Sequence, residues 1–170
     1  MATSIFQATT EEHLRLAAEL HREYLGWVAR ELKAAFGIDV GQEVGAAQEQ
    51  FMAQKDELGP PLGRLYLVEE NGQLAGTGAL KALGHEVGYV KRMYVRPAHR
   101  GQGLSRLILE KILVEARVVG YRHAYLETAR FMTVAQNLYR SVGFREREAF
   151  AGSEIPPDFH YTAIFMELDL

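Results

Sequence analysis

The chain has 170 residues, of which 48% are hydrophobic and 24% charged, a balance typical of a globular protein rather than a disordered one. Its net charge of -3 leaves no basic excess to attract nucleic acid, and the lack of cysteine excludes disulfides, a thiol nucleophile and thiolate metal sites. No apolar run is long enough to cross a bilayer and the first residues lack the pattern of a signal peptide, so we expect a cytoplasmic protein without a membrane partner.

The first third of the chain is predicted to be mostly helical. A short strand candidate at 4–8 precedes apolar residues that recur at helical spacing over 11–36. This helix either breaks near Gly26 or continues to Gly37, since glycine is a common helix terminator. A second, more polar helix is predicted over 40–58, where a Gly-Pro-Pro sequence follows it.

The rest of the chain alternates short strands and helices. The predicted order is strands 64–69, 74–83 and 89–95, helix 104–119, strand 123–128, helix 131–141, and strands 144–150 and 161–168. Three successive strands favour an antiparallel meander, and the later β-α-β step favours a right-handed parallel crossover. We therefore predict an α/β (α+β) fold: a mixed, mostly antiparallel twisted sheet of about seven strands with helices on both faces.

The turn between the strand ending at Val95 and the helix beginning at Leu104 is the most informative segment. It contains Gly101, Gly103 and several cations, and no acidic side chain. A glycine-rich turn that opens a helix presents unpaired backbone N–H groups and the positive end of the helix dipole. This pattern predicts a binding site for a phosphate or pyrophosphate, whereas a purely structural tight turn would not explain the acid-free, cationic surroundings.

Two motifs carry a family resemblance. The turn resembles the acetyl-CoA signature of the GCN5-related N-acetyltransferases (GNAT), which is Arg or Gln, two residues, Gly, one residue, then Gly or Ala. Arg100, Gly103 and Ser105 occupy those places, with Ser105 departing from Gly or Ala. Residues 135–144, Ala-Gln-Asn-Leu-Tyr-Arg-Ser-Val-Gly-Phe, are similar to a second family segment. The resemblance implies a single acetyltransferase domain over 1–170 that uses acetyl-CoA as co-substrate and no metal.

The resemblance also implies where acetyl-CoA binds. Its pyrophosphate would lie on the backbone N–H groups of the turn, and its pantetheine arm would pair with the free edge of the strand ending at Val95. A β-bulge near 92–94 would aim one N–H at the thioester oxygen. The implied cofactor-binding residues are Met93, Tyr94, Val95, Arg100, Gly101, Gln102, Gly103, Leu104, Ser105 and Arg106.

The catalytic residues follow from the same resemblance. Tyr139 is the candidate general acid that protonates the departing thiolate, with side-chain packing as the simpler explanation of its position. Relatives often have a Glu where Tyr89 stands, which leaves the general base open. Glu86 ranks first and Glu127 second, His85 is an alternative, and attack by an already deprotonated amine needs no base at all.

The implied function is direct transfer of an acetyl group from acetyl-CoA to a primary amine in a ternary complex. The acceptor is a small-molecule amine or a peptide amine, and the loop 152–160 is predicted to border its pocket, where Glu154 and Asp158 would suit a cationic acceptor. The alternatives are a catalytically inactive CoA-binding sensor or interaction module, favoured by Tyr89, and transfer of a longer acyl chain. A homodimer is common in such proteins, although no long amphipathic seam here requires one.

Overall fold

The computed structural model describes residues 2–170, in which seven strands form one sheet in the order β1-β2-β3-β4-β5-β7-β6. The strands are β1 (Thr3–Gln7), β2 (Arg64–Glu70), β3 (Gln73–Ala82), β4 (Val87–Val95), β5 (His123–Ala129), β6 (Arg145–Arg147) and β7 (Ala163–Asp169). The helices are α1 (Glu11–Phe36), α2 (Gly41–Ala53), α3 (Leu104–Val119) and α4 (Thr133–Val142). Every neighbouring pair is antiparallel except β4–β5, which confirms the predicted mixed, mostly antiparallel sheet. No helix within 2–170 has both the length and the apolar character needed to span a membrane.

The structure settles one boundary that the sequence left open and clearly shortens two predicted elements. Helix α1 passes through Gly26 and ends at Gly37, whose left-handed backbone (φ 70°) caps it. Helix α2 is shorter than the predicted 40–58, and a 3-10 turn over Lys55–Leu58 replaces its last part. The predicted strand 144–150 is wrong in extent, because β6 keeps only three residues at the edge of the sheet, where β7 is its one partner.

Helices cover both faces of the sheet because the strand side chains alternate. In β2, Tyr66 and Val68 point to the cluster that buries the apolar face of α3, including Ile108 and Ile112. Leu65 and Leu67 point to the opposite cluster, which also buries residues of α1 and α2. The period of two in the strand and 3.6 in the helices therefore builds two cores, one on each side of a single sheet.

Strands β4 and β5 separate soon after they begin. They pair in parallel over Val87–Tyr89 and 123–125 and share no further register beyond Tyr89. Strand β4 continues to pair with β3 as far as Val95, while β5 pairs with β7 along its whole length. The centre of the sheet is therefore divided, and among residues 2–170 no strand lies beside the facing edge of β4 after Tyr89.

A β-bulge lies on β4 beside this divergence. The β3–β4 register passes from Ala79 opposite Lys91 to Thr77 opposite Tyr94, so two residues of β4, Arg92 and Met93, face Gly78 alone. Arg92 has a φ of 57°, a left-handed conformation that few non-glycine residues adopt. A bulge leaves its extra residue outside the ladder and re-aims the local backbone and side chains, as was predicted for 92–94.

We expect replacement of Gly78 by alanine to destabilise the protein. A Cβ there would lie 2.4 Å from Cγ2 of Ile108 and 2.8 Å from the sulfur of Met93, so α3 and the bulge would have to move. Overpacking of this kind costs about 1–3 kcal/mol. Urea denaturation measures the loss, and Gly45→Ala is the control, since Gly45 in α2 has open space around it and should gain up to about 1 kcal/mol. Equal stability of Gly78→Ala and the wild type would contradict the packing described for β3.

Candidate active site

Two cavities meet where β4 and β5 diverge. The large cavity, of about 580 Å³, lies between the second half of β4, the turn that follows it and the first turns of α3 and α4. The small cavity, of about 320 Å³, lies between α1, the divergent strands and the loop before β7. The residues that line both cavities are Tyr24, Val90, Lys91, Arg92, Glu127, Thr128 and Met132. The two spaces therefore share one wall.

The glycine turn forms one end of the large cavity. Gly101 and Gly103 have φ values of 78° and 80°, and nothing lies within 4 Å of where a Cβ would stand. Gly103 caps α3 without a side-chain hydrogen bond, and the first turn of α3 has no acidic residue. The N–H groups of this turn are thus available to an anion. All the residues predicted to bind the cofactor line the large cavity except Gln102, which is exposed and outside it.

Of the three arginines near this turn, Arg96 lies outside the large cavity, whereas Arg100 and Arg106 line it. Arg96 is held by Glu19 and Glu23 of α1, each at 2.7 Å, and does not line the large cavity. Arg100 lines it, but its Nε donates to the carbonyl of Val95 at 3.0 Å and so fastens the turn to β4. Arg106 also lines the cavity, and its guanidinium donates to the Ser141 hydroxyl of α4 at 2.7 Å.

Tyr139 of α4 lines the large cavity and is 6% exposed. Its ring packs edge-on against Phe144, with 5.9 Å between the centroids. Burial, assisted by Tyr24 nearby, raises the pKa of the phenol, because a phenolate would be poorly solvated there. The hydroxyl therefore stays protonated at neutral pH and is a hydrogen-bond donor at the cavity wall.

Glu127 of β5 stands in the wall shared by the two cavities. Its Oε1 accepts a hydrogen bond from the Tyr89 hydroxyl, and its Oε2 is buried with no partner among residues 2–170. Burial raises the pKa of this carboxyl group, and the charge of Glu154 adds to the rise, while the Tyr89 hydrogen bond opposes it. Tyr89 is thus the residue that holds the carboxylate of Glu127.

Glu86 does not reach either cavity. It lies in the turn before β4 with its side chain exposed, 3.4 Å from the guanidinium of Arg122. Its backbone carbonyl accepts hydrogen bonds from the N–H groups of Arg122 and His123, at 2.8 and 3.1 Å. These bonds join β4 to β5 at the closed end of the divergence, and the cavities lie at the other end. The prediction that ranked Glu86 above Glu127 as the base is therefore not supported by the structure, and His85 lines neither cavity.

The loop 152–160 was predicted to border the acceptor pocket, and only some of its residues line the small cavity. Glu154 lines it, but its carboxylate is paired with the buried ammonium of Lys91, so it does not offer a free negative charge to an acceptor. Asp158 is exposed and outside the lining. Phe159 contributes an aromatic wall instead. The expected preference for a cationic acceptor therefore has no support from these two acids.

Sequence reasoning did not find the contribution of α1. Tyr24 lines both cavities, and burial together with the charges of Glu127 and Glu154 raises its pKa to about 12. His21 lines the small cavity, and burial with the nearby charges of Arg92 and Lys91 lowers its pKa to about 3, so its imidazole is neutral. The sequence did contain one signal for this part of the site, since His21 and Tyr24 place polar groups within the apolar stripe of α1. Across residues 2–170, no three His, Asp or Glu side chains are grouped so that they could hold a metal ion.

Comparisons with known proteins agree with this geometry. The family model of the Acetyltransferase (GNAT) family matches residues 28–144. A curated relative, IAA acetyltransferase of Azospirillum brasilense, is 34% identical over 126 residues, which cover 73% of this chain and 79% of the relative. The crystal structure of PaiA N-acetyltransferase from Thermoplasma acidophilum in complex with coenzyme A superposes with a TM-score of 0.72 at 17% identity, covering all of both chains. An acetyltransferase from Streptococcus agalactiae gives 0.75 at 18% identity, covering 99% of this chain and 98% of the other. Because this family model covers well over half of the chain, the chain belongs to the Acetyltransferase (GNAT) family.

Proposed function

We propose that the protein transfers an acetyl group from acetyl-CoA to a primary amine by direct attack in a ternary complex. The observation that carries the proposal is the position of Glu127, which lines both cavities and whose buried Oε2 has no hydrogen-bond partner within residues 2–170. A base in that wall reaches an amine in the small cavity at the point where it meets a thioester in the large one. Family membership and the coenzyme A complex of the Thermoplasma structure support the assignment of the large cavity to the acyl donor.

The residues of the large cavity fit acetyl-CoA, which supplies the acyl group already activated as a thioester. The backbone N–H groups at the start of α3 receive the pyrophosphate, and the left-handed Gly101 and Gly103 keep that surface open. Arg106 lies beside them and adds positive charge. The edge of β4 after Tyr89, where no strand pairs, offers Met93 and Val95 as backbone partners for the pantetheine arm.

The bulge supplies the electrostatic part of the reaction. Because Arg92 and Met93 together face one residue of β3, one backbone N–H of this segment is not used by the ladder. We assign that N–H to the negative charge that develops on the thioester oxygen as the amine attacks. A fixed donor in a site screened from water stabilises such a charge without reorganisation, and removal of one comparable donor costs other enzymes about 100- to 1,000-fold in kcat.

Two side chains carry out the proton transfers of the reaction. Glu127 accepts the proton that the amine loses, and its raised pKa makes it a stronger base than an exposed glutamate when ionised. Tyr139 donates to the departing sulfur, whose thiol has a pKa of about 8.5. Its own raised pKa keeps the hydroxyl protonated, so it acts first as a hydrogen-bond donor and completes proton transfer as the thiolate leaves. One proton is taken from the amine and one is given to the thiol, so the reaction is balanced.

The second candidate function, a CoA-binding sensor, loses its main support. It was favoured by Tyr89 standing where relatives often have a Glu. The hydrogen bond from Tyr89 to Glu127 gives that tyrosine a place in a working site. Acceptor-dependent release of CoA thiol from acetyl-CoA distinguishes the two functions, and matched assays with longer acyl-CoA thioesters establish the acyl chain that is transferred.

We expect Gly103→Val to abolish binding of CoA. A β-branched residue at φ 80° distorts the turn that presents the N–H groups. Differential scanning fluorimetry measures this, since saturating CoA should raise the wild-type Tm by roughly 5–10 °C and leave the variant unchanged. Gly120→Val is the matched control, because Gly120 caps the other end of α3 at φ 101° with equally open space and should keep its response to CoA. A normal Tm shift in Gly103→Val would overturn the phosphate site.

We expect Glu127→Gln to lower kcat by about 100- to 10,000-fold with little change in CoA binding. In the wild type, kcat should fall as the pH drops through the raised pKa of Glu127, because protonation removes the base. That acidic limb of the pH profile therefore lies above the usual range of a glutamate and should disappear in the variant. Glu86→Gln serves as the control and should keep both the rate and the limb. Loss of activity in Glu86→Gln with an active Glu127→Gln would reverse the assignment.

We expect Tyr139→Phe to lower kcat at least tenfold while the KM for acetyl-CoA changes little, because the variant removes one hydroxyl and keeps the packing against Phe144. Steady-state kinetics measures both constants. Tyr161→Phe is the control, since Tyr161 is 56% exposed and lines neither cavity. Unchanged turnover in Tyr139→Phe would remove it from the mechanism.

A further inference from the structure

The wall of the small cavity contains a buried cation that has no carboxylate partner. Arg92 is 9% exposed, and its Nε and Nη1 make no hydrogen bond within residues 2–170. Its Nη2 donates to the neutral amide of Gln54, and its guanidinium lies over the ring of Phe51, 4.5 Å from the centroid. Buried guanidinium groups are normally paired, because an unpaired buried charge is strongly destabilising.

The other charged groups of this cavity are one ion pair and one carboxylate that has no cation partner within residues 2–170. Lys91 is paired with Glu154, and Glu127 is held by the Tyr89 hydroxyl. The neutral His21 adds a second unsatisfied group on the same side, since its Nδ1 is buried without a partner within 2–170 and its ring centroid lies 5.7 Å from that of Phe51. The small cavity therefore holds one cation, Arg92, and one carboxylate, Glu127, that are not paired with each other, and Arg92 keeps two nitrogens without an acceptor.

The remainder of the cavity is apolar. Its walls are formed by side chains of α1, the α1–α2 connection, α4 and the loop before β7: Leu25, Val28, Leu32, Ile38, Val40, Met132, Ile155 and Phe159. A volume of about 320 Å³ accommodates a small organic molecule and not a folded partner. These walls select an apolar body, while the unpaired groups of Arg92 select an anion. The neutral His21 donates to the same anion in the tautomer that carries its proton on Nδ1.

We propose that the acceptor is a free apolar amino acid, whose carboxylate binds Arg92 and His21 while its amine lies at Glu127. The inference rests on the proposed function, since it assigns the acceptor of that same site. A carboxylate accepts two hydrogen bonds from the guanidinium fork and balances its charge, which a peptide amide or a simple amine does not do. The carboxylate of Glu127, which lines the same cavity, then lies beside the amine that must lose a proton.

The test compares matched acceptors on the full-length wild type: phenylalanine against phenethylamine and phenylalaninamide, and leucine against isoamylamine. Thiol release from acetyl-CoA gives kcat/KM for each. We expect the carboxylate-bearing member of each pair to be favoured at least tenfold. Equal rates for phenylalanine and phenethylamine would overturn the inference while leaving the acetyltransferase function intact.

Variants then locate the preference. Arg92→Gln should erase the preference, and Arg92→Lys, which keeps the charge and loses the fork, should keep part of it. Arg122→Gln, at an exposed ion pair outside both cavities, should leave the preference unchanged. A preference for phenylalanine that survives in folded Arg92→Gln would exclude Arg92 as the carboxylate site.

Calorimetry separates this inference from the proposed function. Phenylalanine and phenethylamine are titrated into the CoA-loaded wild type, where binding needs no turnover. If no amine releases thiol, the acetyltransferase proposal fails, yet Arg92-dependent binding of phenylalanine alone would still support the carboxylate site. Binding of phenethylamine as tight as that of phenylalanine would overturn it.

Discussion

The separation of β4 from β5 after Tyr89 is the constraint on which the whole site depends. A parallel pair that continued to the ends of both strands would satisfy its ladder and close the centre of the sheet. Here β3 holds β4, and β7 holds β5, so both strands remain fixed while the space between them stays open. Side chains from the two facing strands then meet across a gap rather than a hydrogen-bonded ladder, and both cavities form in that gap.

The bulge on β4 lies beside the same gap and changes which groups face it. It adds one residue opposite Gly78, turns Arg92 into a left-handed conformation and sends a guanidinium into the interior. Gly78 is the residue that allows it, since any side chain there would collide with Ile108 and Met93. The electrostatics of the site and the packing of α3 on the sheet are therefore coupled through one position in β3. A change made for packing at Gly78 would also displace the donor that we assign to the thioester oxygen.

Burial gives the polar groups of the site their properties. Tyr24, Tyr139 and Glu127 all have raised pKa values because their charged forms are poorly solvated, and His21 has a lowered one for the same reason. The interior therefore favours neutral tyrosines and a neutral histidine beside one carboxylate that titrates above its ordinary range. The same burial keeps water from the Nε and Nη1 of Arg92, so their hydrogen bonds stay unmade within residues 2–170.

Most of the fold could be predicted from local patterns. The hydrophobic periods gave the order of helices and strands, and the left-handed glycines at 37, 103 and 120 mark helix ends that composition already indicated. Strand 144–150 was overestimated because the chain leaves β7 after Arg147, opposite Phe165, although β7 itself begins at Ala163. How far an edge segment pairs with its neighbour is a property of the tertiary structure. On the donor side, the glycine turn and Tyr139 were visible as motifs because backbone N–H groups and a helix terminus are local features.

The residues that we assign to the acceptor could not be chosen from local motifs. The sequence ranked Glu86 above Glu127, and only the pairing of β4 with β5 puts Glu86 at the closed end of the gap and Glu127 at the open one. The sequence by itself determined the fold class and the position of the glycine turn, because these depend on residue periods and on backbone conformation over a few neighbours. Only the tertiary structure decided which carboxylate, tyrosine and arginine meet in the shared wall, because residues from α1, β4 and β5 come together there through packing and not through sequence spacing.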